Sequence, residues 1–117
     1  MVWIKIWVDD LRPMPDDYDF HYVSVYQFIR GFNTITPKHC DEFGYIIDLD
    51  HDAGYYSDFG GDYINILKFL YYYDNNNENN IDGFVRDKCI FKFHTANCVG
   101  MENMVNFCNS HGWKIEK

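Results

Sequence analysis

The chain is short of positive charge. Ten Lys and Arg stand against eighteen Asp and Glu in 117 residues, which leaves a formal charge of −8. A broad grip on nucleic-acid backbone needs a basic surface, so that class is excluded, although one phosphate in a local pocket is not. No apolar run approaches the roughly 20 residues of a membrane span. The first such run, Val2 to Val8, is interrupted by Lys5 and closed by Asp9-Asp10. No signal-peptide pattern is present either, so a cytoplasmic location is the expectation. Cysteine is sparse and scattered at Cys40, Cys89, Cys98 and Cys108, with no C-x-x-C pair. That spacing argues against a zinc finger or a thioredoxin-type motif and for four reduced thiols.

Aromatic residues are plentiful, at 20%, within a hydrophobic fraction of 47%. A disordered tail lacks such bulk. The length predicts one domain over residues 1–117, large enough to bury a core without staples. The Asn-rich stretch 74–82 carries no apolar period and is expected to be a solvated loop within that domain.

Strand signals fall at Val2 to Val8, Phe20 to Val23, Phe43 to Asp50 and Cys89 to Phe93, with a last short one at Trp113 to Ile115. Between the first two, Pro13 and Pro15 bar a helix. Ser24 can cap a helix from Val25 to about Phe32, with Val25, Phe28 and Ile29 on one face. A second helix is predicted from about Asp62 to Tyr72, with Ile64, Leu67 and Tyr71 in register. A third carries Met101, Met104, Val105 and Cys108 at helical spacing and stops at Gly112. Strands alternating with helices imply a small three-layer α/β domain, its sheet of four or five strands mostly parallel.

Polar residues collect where three of those strands end. The first ends in Asp9-Asp10, the third in Asp48-Leu49-Asp50-His51-Asp52, and the fourth in His94-Thr95-Ala96-Asn97. In a parallel sheet these ends share one edge, where ligand crevices form. Two carboxylates about 4 Å apart repel by roughly 4 kcal/mol at an effective dielectric of 20. Such a rim calls for a cation, a shared proton or water. Oxygen-only donors suit Mg²⁺ or Mn²⁺, which then bridges to phosphate. The alternative is that Asp9, Asp10 and Asp52 merely cap turns and helices. His51 and His94 can give and take protons, or can simply bond a neighbouring Asp. Arg12 suits either a phosphate or a salt bridge to Asp10 or Asp52. Tyr55, Tyr56 and Phe59 can stack a base, although a cover for the core is the favoured reading. His21, His39 and His111 are read as surface residues.

The order of these motifs resembles response-regulator receiver domains. That resemblance implies Asp9, Asp10 and Asp50 as Mg²⁺-site acids and Thr95 as a phosphate contact. A closer similarity is to the cyclic-phosphate processing receiver domain, with its DDxRxxP, LDHD, HSAN-type and GxxNM motifs. Here these read Asp9-Asp10-Leu11-Arg12-Pro13-Met14-Pro15, Leu49-Asp50-His51-Asp52, and His94-Thr95-Ala96-Asn97 running on to Gly100-Met101-Glu102-Asn103-Met104. A receiver's lysine at the end of a fifth strand has no clear counterpart in Trp113-Lys114-Ile115-Glu116-Lys117. The resemblance implies hydrolysis of a cyclic or terminal phosphate, on a small molecule or an RNA end. Asp50 and His51 or His94 would be catalytic, and Arg12, Thr95 and Asn97 would orient phosphate oxygens. Asn103 would support the site. A sensor that binds such a ligand without turnover, and a pseudo-receiver that contacts another protein, are the alternatives.

Overall fold

In the computed structural model, described over residues 2–35, 42–76 and 83–116, five strands form one sheet. They are β1 (Val2–Val8), β2 (Phe20–Tyr22), β3 (Phe43–Leu49), β4 (Cys89–Phe93) and β5 (Lys114–Ile115). Their spatial order is β2-β1-β3-β4-β5, and every pairing is parallel. The helices are α1 (Val25–Ile35), α2 (Ile64–Asn76), α3 (Phe84–Lys88) and α4 (Cys98–Ser110), with a 3-10 turn at Gly54–Phe59. This is a receiver-like α/β fold.

The layering is uneven. From β2 onward each crossover steps the same way along the sheet, so the right-handed rule sends the helices to one face. The core agrees. Ile6, Val8, Tyr45, Ile47, Leu49, Cys89 and Phe91 alternate along their strands and share a cluster with Phe28, Phe32, Ile66, Leu67, Leu70, Met104 and Cys108. The other face carries Trp7, Asp48 and His94, covered by the irregular connection 9–19 rather than by a helical layer. Pro13 and Pro15 deny that connection a helical ladder. It is tied down instead by Lys5 to Asp17 at 2.8 Å and by the Asp19 N–H to the Lys5 carbonyl at 2.8 Å.

Local chemistry sets the helix ends. The Ser24 hydroxyl accepts from the Gln27 N–H at 3.0 Å, which caps α1. Ser24→Ala is expected to cost about 1 kcal/mol. Urea denaturation checks this, and an unchanged midpoint would refute the cap. At the far end of α4, the Gly112 N–H reaches the Asn109 carbonyl and the Trp113 N–H the Cys108 carbonyl. This paired closure needs the left-handed φ of 70° at Gly112.

Some expectations shift. α2 runs on through Asp74 to Asn76 rather than ending at Tyr72, and the rest of the Asn-rich stretch lies outside the described residues. The buried face of α2 is Ile66, Leu67 and Leu70, while Tyr71 is exposed. α3 was not foreseen, since five residues carry no readable period. Cys89, Cys98 and Cys108 are free thiols, and burial pushes Cys108 up to about 12. Cys40 and His39 lie outside the described residues.

Candidate functional site: an acidic pocket at the strand ends

The pocket lies at the ends of the paired neighbours β1 and β3, whose onward connections leave in opposite directions along the sheet, between Asp10, Arg12, Asp50, Asp52, Thr95 and Asn97. Its volume is about 300 Å³. That edge is where open α/β sheets place ligands.

Asp9 is its fully buried pivot. Its Oδ1 accepts from the backbone N–H of Leu11 at 2.8 Å and of Arg12 at 2.9 Å. Its Oδ2 meets the Arg12 guanidinium at 3.0 Å and His94 Nε2 at 2.8 Å. Burial pushes the Asp9 carboxyl up, but the donors from Arg12, Leu11 and His94 outweigh it and hold the group below its ordinary value. The acid at position 9 is thus turned inward and spent on protein donors. Asp10 differs. Burial, with the charges of Asp9 and Asp50 added to it, holds its carboxyl above the ordinary value. A Cβ placed on Gly54 would stand 2.3 Å from Asp10 Oδ2, so only glycine, here at φ 55°, leaves that carboxylate its room.

Arg12 spans two acids, with Nη1 3.0 Å from Asp9 and 3.4 Å from Asp50. The sequence reading paired it with phosphate or with Asp10 or Asp52. Its salt-bridge partners are Asp9 and Asp50 rather than Asp10 or Asp52, because the tight turn after β1 folds the side chain back over its own strand end. Asp50 also accepts from the His51 N–H at 2.8 Å.

The two histidines part in role. His94 Nε2 faces Asp9 and its Nδ1 faces Asp48 at 2.6 Å, so both nitrogens are engaged. Its ring stacks on Trp7 with centroids 3.8 Å apart and planes within 5°. His51 Nδ1 meets Asp52 Oδ1 at 2.7 Å, and its Nε2 has no hydrogen-bond partner among the described residues. That contact, and behind it Asn97, holds Asp52 below its ordinary value.

Thr95 and Asn97 line the pocket, and each also builds the turn into α4. The Thr95 hydroxyl accepts from the Asn97 N–H at 3.0 Å. Asn97 Oδ1 caps α4 through the Gly100 N–H at 2.9 Å, and its Nδ2 donates to Asp52 at 3.2 Å. Gly100 must lack a side chain, since a Cβ there would stand 2.4 Å from the His51 ring. Asn103 is not brought into the pocket. It is exposed on α4, whose inward face is Gly100, Met104 and Cys108.

Sequence reasoning missed Trp7 and Tyr18, and placed Asp48 in the strand-end cluster without giving it a role. Trp7 donates its indole N–H to the Arg12 carbonyl at 3.1 Å. Asp48 and Tyr18 are joined by a hydrogen bond from the phenol to Asp48 Oδ2. The outward register of Trp7 and Asp48 on neighbouring strands was a usable signal. Tyr18, in an irregular connection, gave none. Tyr55, Tyr56 and Phe59 do not cover the core as favoured. The whole turn Gly54–Phe59 is exposed, and the chain returns to the core only at Ala53 before it and Tyr63 after it. His21 is exposed as expected, yet its Nε2 lies 2.8 Å from the Asp9 carbonyl. His111 is half-buried among Tyr71, Phe107 and Trp113.

Five parallel strands in this order, with acids at the ends of β1 and β3, meet the family model of the cyclic-phosphate processing receiver domain. The match covers residues 4–110. The chain belongs to that family. No curated protein and no solved structure matches it. The matched span of this receiver domain takes in Asp9, Asp10, Arg12, Asp50, His51, His94, Thr95 and Asn97. Among the described residues no helix is long and apolar enough to cross a membrane.

Proposed function

We propose that this domain binds a cyclic phosphate, on a nucleotide or an RNA end, and opens it by hydrolysis. The observation that carries the reading is the guanidinium of Arg12 set among Asp9, Asp10 and Asp50 at the mouth of a pocket that also offers Thr95 and Asn97. A planar donor fork beside hydroxyl and amide donors suits phosphate oxygens. Family membership supports the same ligand class.

Asp9, Asp10 and Asp50 each offer an oxygen within 4.8 Å of the others. The donor set is oxygen only, which fits Mg²⁺ or Mn²⁺. Asp10 and Asp50 are the acids with capacity left for an ion. Asp9 serves as support, since its oxygens already accept four contacts. A bound ion would supply positive charge to a phosphate oxygen.

In the reaction, water forms a new P–O bond and one ring P–O bond breaks. One proton leaves the water, and the departing alkoxide takes up one proton. His51 is the histidine with a ring nitrogen left for that traffic, and Asp52 orients it. His94 holds the acids in place.

The test incubates the protein with 2′,3′-cyclic and 3′,5′-cyclic nucleotides, with and without Mg²⁺ or Mn²⁺, and follows products by chromatography. Ring opening is expected. A ligand-dependent rise in Tm without turnover would replace hydrolysis by binding alone. That second reading has its own support: Arg12 already neutralises part of the acid cluster, as a binding pocket without metal requires. Neither response would overturn both readings and favour a pseudo-receiver contacting another protein.

A further inference from the structure

A chain of contacts leads from the second sheet face into the pocket. The Tyr18 phenol donates to Asp48 Oδ2, and Asp48 Oδ1 meets His94 Nδ1 at 2.6 Å. His94 Nε2 meets Asp9 Oδ2 at 2.8 Å, and the same oxygen holds the Arg12 guanidinium at 3.0 Å. Trp7 closes the circuit, stacked on His94 and bonded to the Arg12 carbonyl. From these contacts we infer that Tyr18, Asp48 and Trp7 are positioning residues: through His94 and Asp9 they fix where the Arg12 guanidinium stands in the pocket.

Each link has a physical reason. Arg12 is half-exposed on a long side chain and has many rotamers of its own. Fixed acceptors narrow them, and the nearer of the two is Asp9 Oδ2 at 3.0 Å, against 3.4 Å for Asp50. Asp9 keeps its orientation because Oδ1 is held by two backbone N–H groups and Oδ2 by His94. The His94 ring is held in plane by Trp7 and in rotation by Asp48. Asp48 is buried, at 4% exposure, and Tyr18 answers its remaining oxygen. A buried carboxylate with one oxygen unanswered is costly, so the phenol secures the far end of the chain. Outer hydrogen bonds of this kind govern how tightly a site holds its geometry. The polar network reaches from loop 9–19 to the pocket, and at its Arg12 end it meets Asp50 of the LDHD segment at 3.4 Å.

The assignment rests on the phosphate-pocket reading for its activity test, and on geometry alone for its spectroscopic test. Three variants separate the links. Tyr18→Phe removes only the hydroxyl. Asp48→Asn keeps an acceptor for His94 and a donor for Tyr18. Asp48→Ala cuts the chain. In turnover of 2′,3′-cyclic AMP, Tyr18→Phe is expected to lower kcat/KM about tenfold, the weight of one hydrogen bond. Asp48→Ala is expected to lose as much as Arg12→Ala, and Asp48→Asn to recover most of the wild-type rate. The deciding readout is the cycle with Arg12→Ala: in that background Tyr18→Phe should have no further effect. Equal losses in both backgrounds would show a purely structural role and overturn the inference.

Nitrogen-15 NMR of the Arg12 guanidinium in the ligand-free protein provides the second arm. Slow rotation in the wild type that turns fast in Tyr18→Phe and Asp48→Ala supports the chain. Unchanged rotation overturns it, even where no cyclic phosphate is hydrolysed. Failure of the wild type to act on any cyclic phosphate, with the NMR change intact, would instead overturn the proposed function and leave the positioning assignment standing.

Discussion

Asp50→Asn is expected to leave the domain folded and to remove cyclic-phosphate turnover. The amide has the shape of the carboxylate. Its oxygen can still accept from the His51 N–H, and the strand-end bond from the residue 50 N–H to the Val8 carbonyl is untouched. What disappears is one negative charge beside Arg12 and Asp10. A divalent ion bound there would lose a ligand, and Arg12 loses one of its two anchors. Removing a single preorganised electrostatic contact from a catalytic centre costs about 10² to 10³ in rate, and a loss at least that large is expected here. Circular dichroism and thermal melting verify the fold, and chromatography of a 2′,3′-cyclic nucleotide reads the turnover. Wild-type activity in this variant would remove Asp50 from the chemistry and, with it, the metal-site reading.

Asp9→Ala is expected to strike stability hardest among single changes at the site. The residue is completely buried, and its oxygens answer two backbone N–H groups, a guanidinium and His94. Truncation strands all four. Breaking one partner out of a buried charged cluster costs about 3–5 kcal/mol. For a domain of this size that lowers Tm by more than about 10 °C. A drop of only a degree or two would show that the surroundings re-form without the carboxylate.

A pH arm separates charge from shape. Asp9 sits below its ordinary value of 3.8 in the folded protein. Its stabilisation is therefore in force above that value and disappears as pH falls through the lower folded one. The gap in stability between wild type and Asp9→Asn should be constant near neutrality and close as pH falls below about 4. A gap that stays open at low pH would assign the effect to packing.

Much of the fold was legible because apolar runs end in unambiguous punctuation. β1 and β4 begin and end where Val2 to Val8 and Cys89 to Phe93 were read. The strand-end acids and the HTAN stretch pointed to one edge, and that edge carries the pocket. Errors came where tertiary context outweighs local pattern. α4 starts at Cys98, three residues and just under one turn earlier than the apolar spacing suggested from Met101, since spacing resolves a helix start only to about one turn of 3.6 residues. Its cap is Asn97, whose amide had been assigned to phosphate alone. Asn103 looked like a site residue from its motif, yet a helix presents only part of its circumference to a pocket. Tyr18 could not be found at all, because nothing local says that loop 9–19 folds back onto the second sheet face. The position of Asp48 was readable from alternation along β3, but its partner His94 is known only once β3 and β4 are in register.

The sheet order also dictates when the pocket can exist. β1 has no neighbour joined to it by a tight hairpin. Its longest pairing, Val2↔Phe43 through Val8↔Leu49, joins strands separated by β2, α1 and their connections. Parallel pairs of that kind must close a long loop before any contact rewards it, which makes them late and slow to assemble. Asp9 and Asp50 follow directly after those paired strands, so nothing brings the two acids together until that closure is complete. The pocket is therefore tied to the committed native state: a partly collapsed chain, however rich in helix, has none to offer, and on the proposed function the acquisition of binding during refolding would be a clock for the joining of β1 to β3.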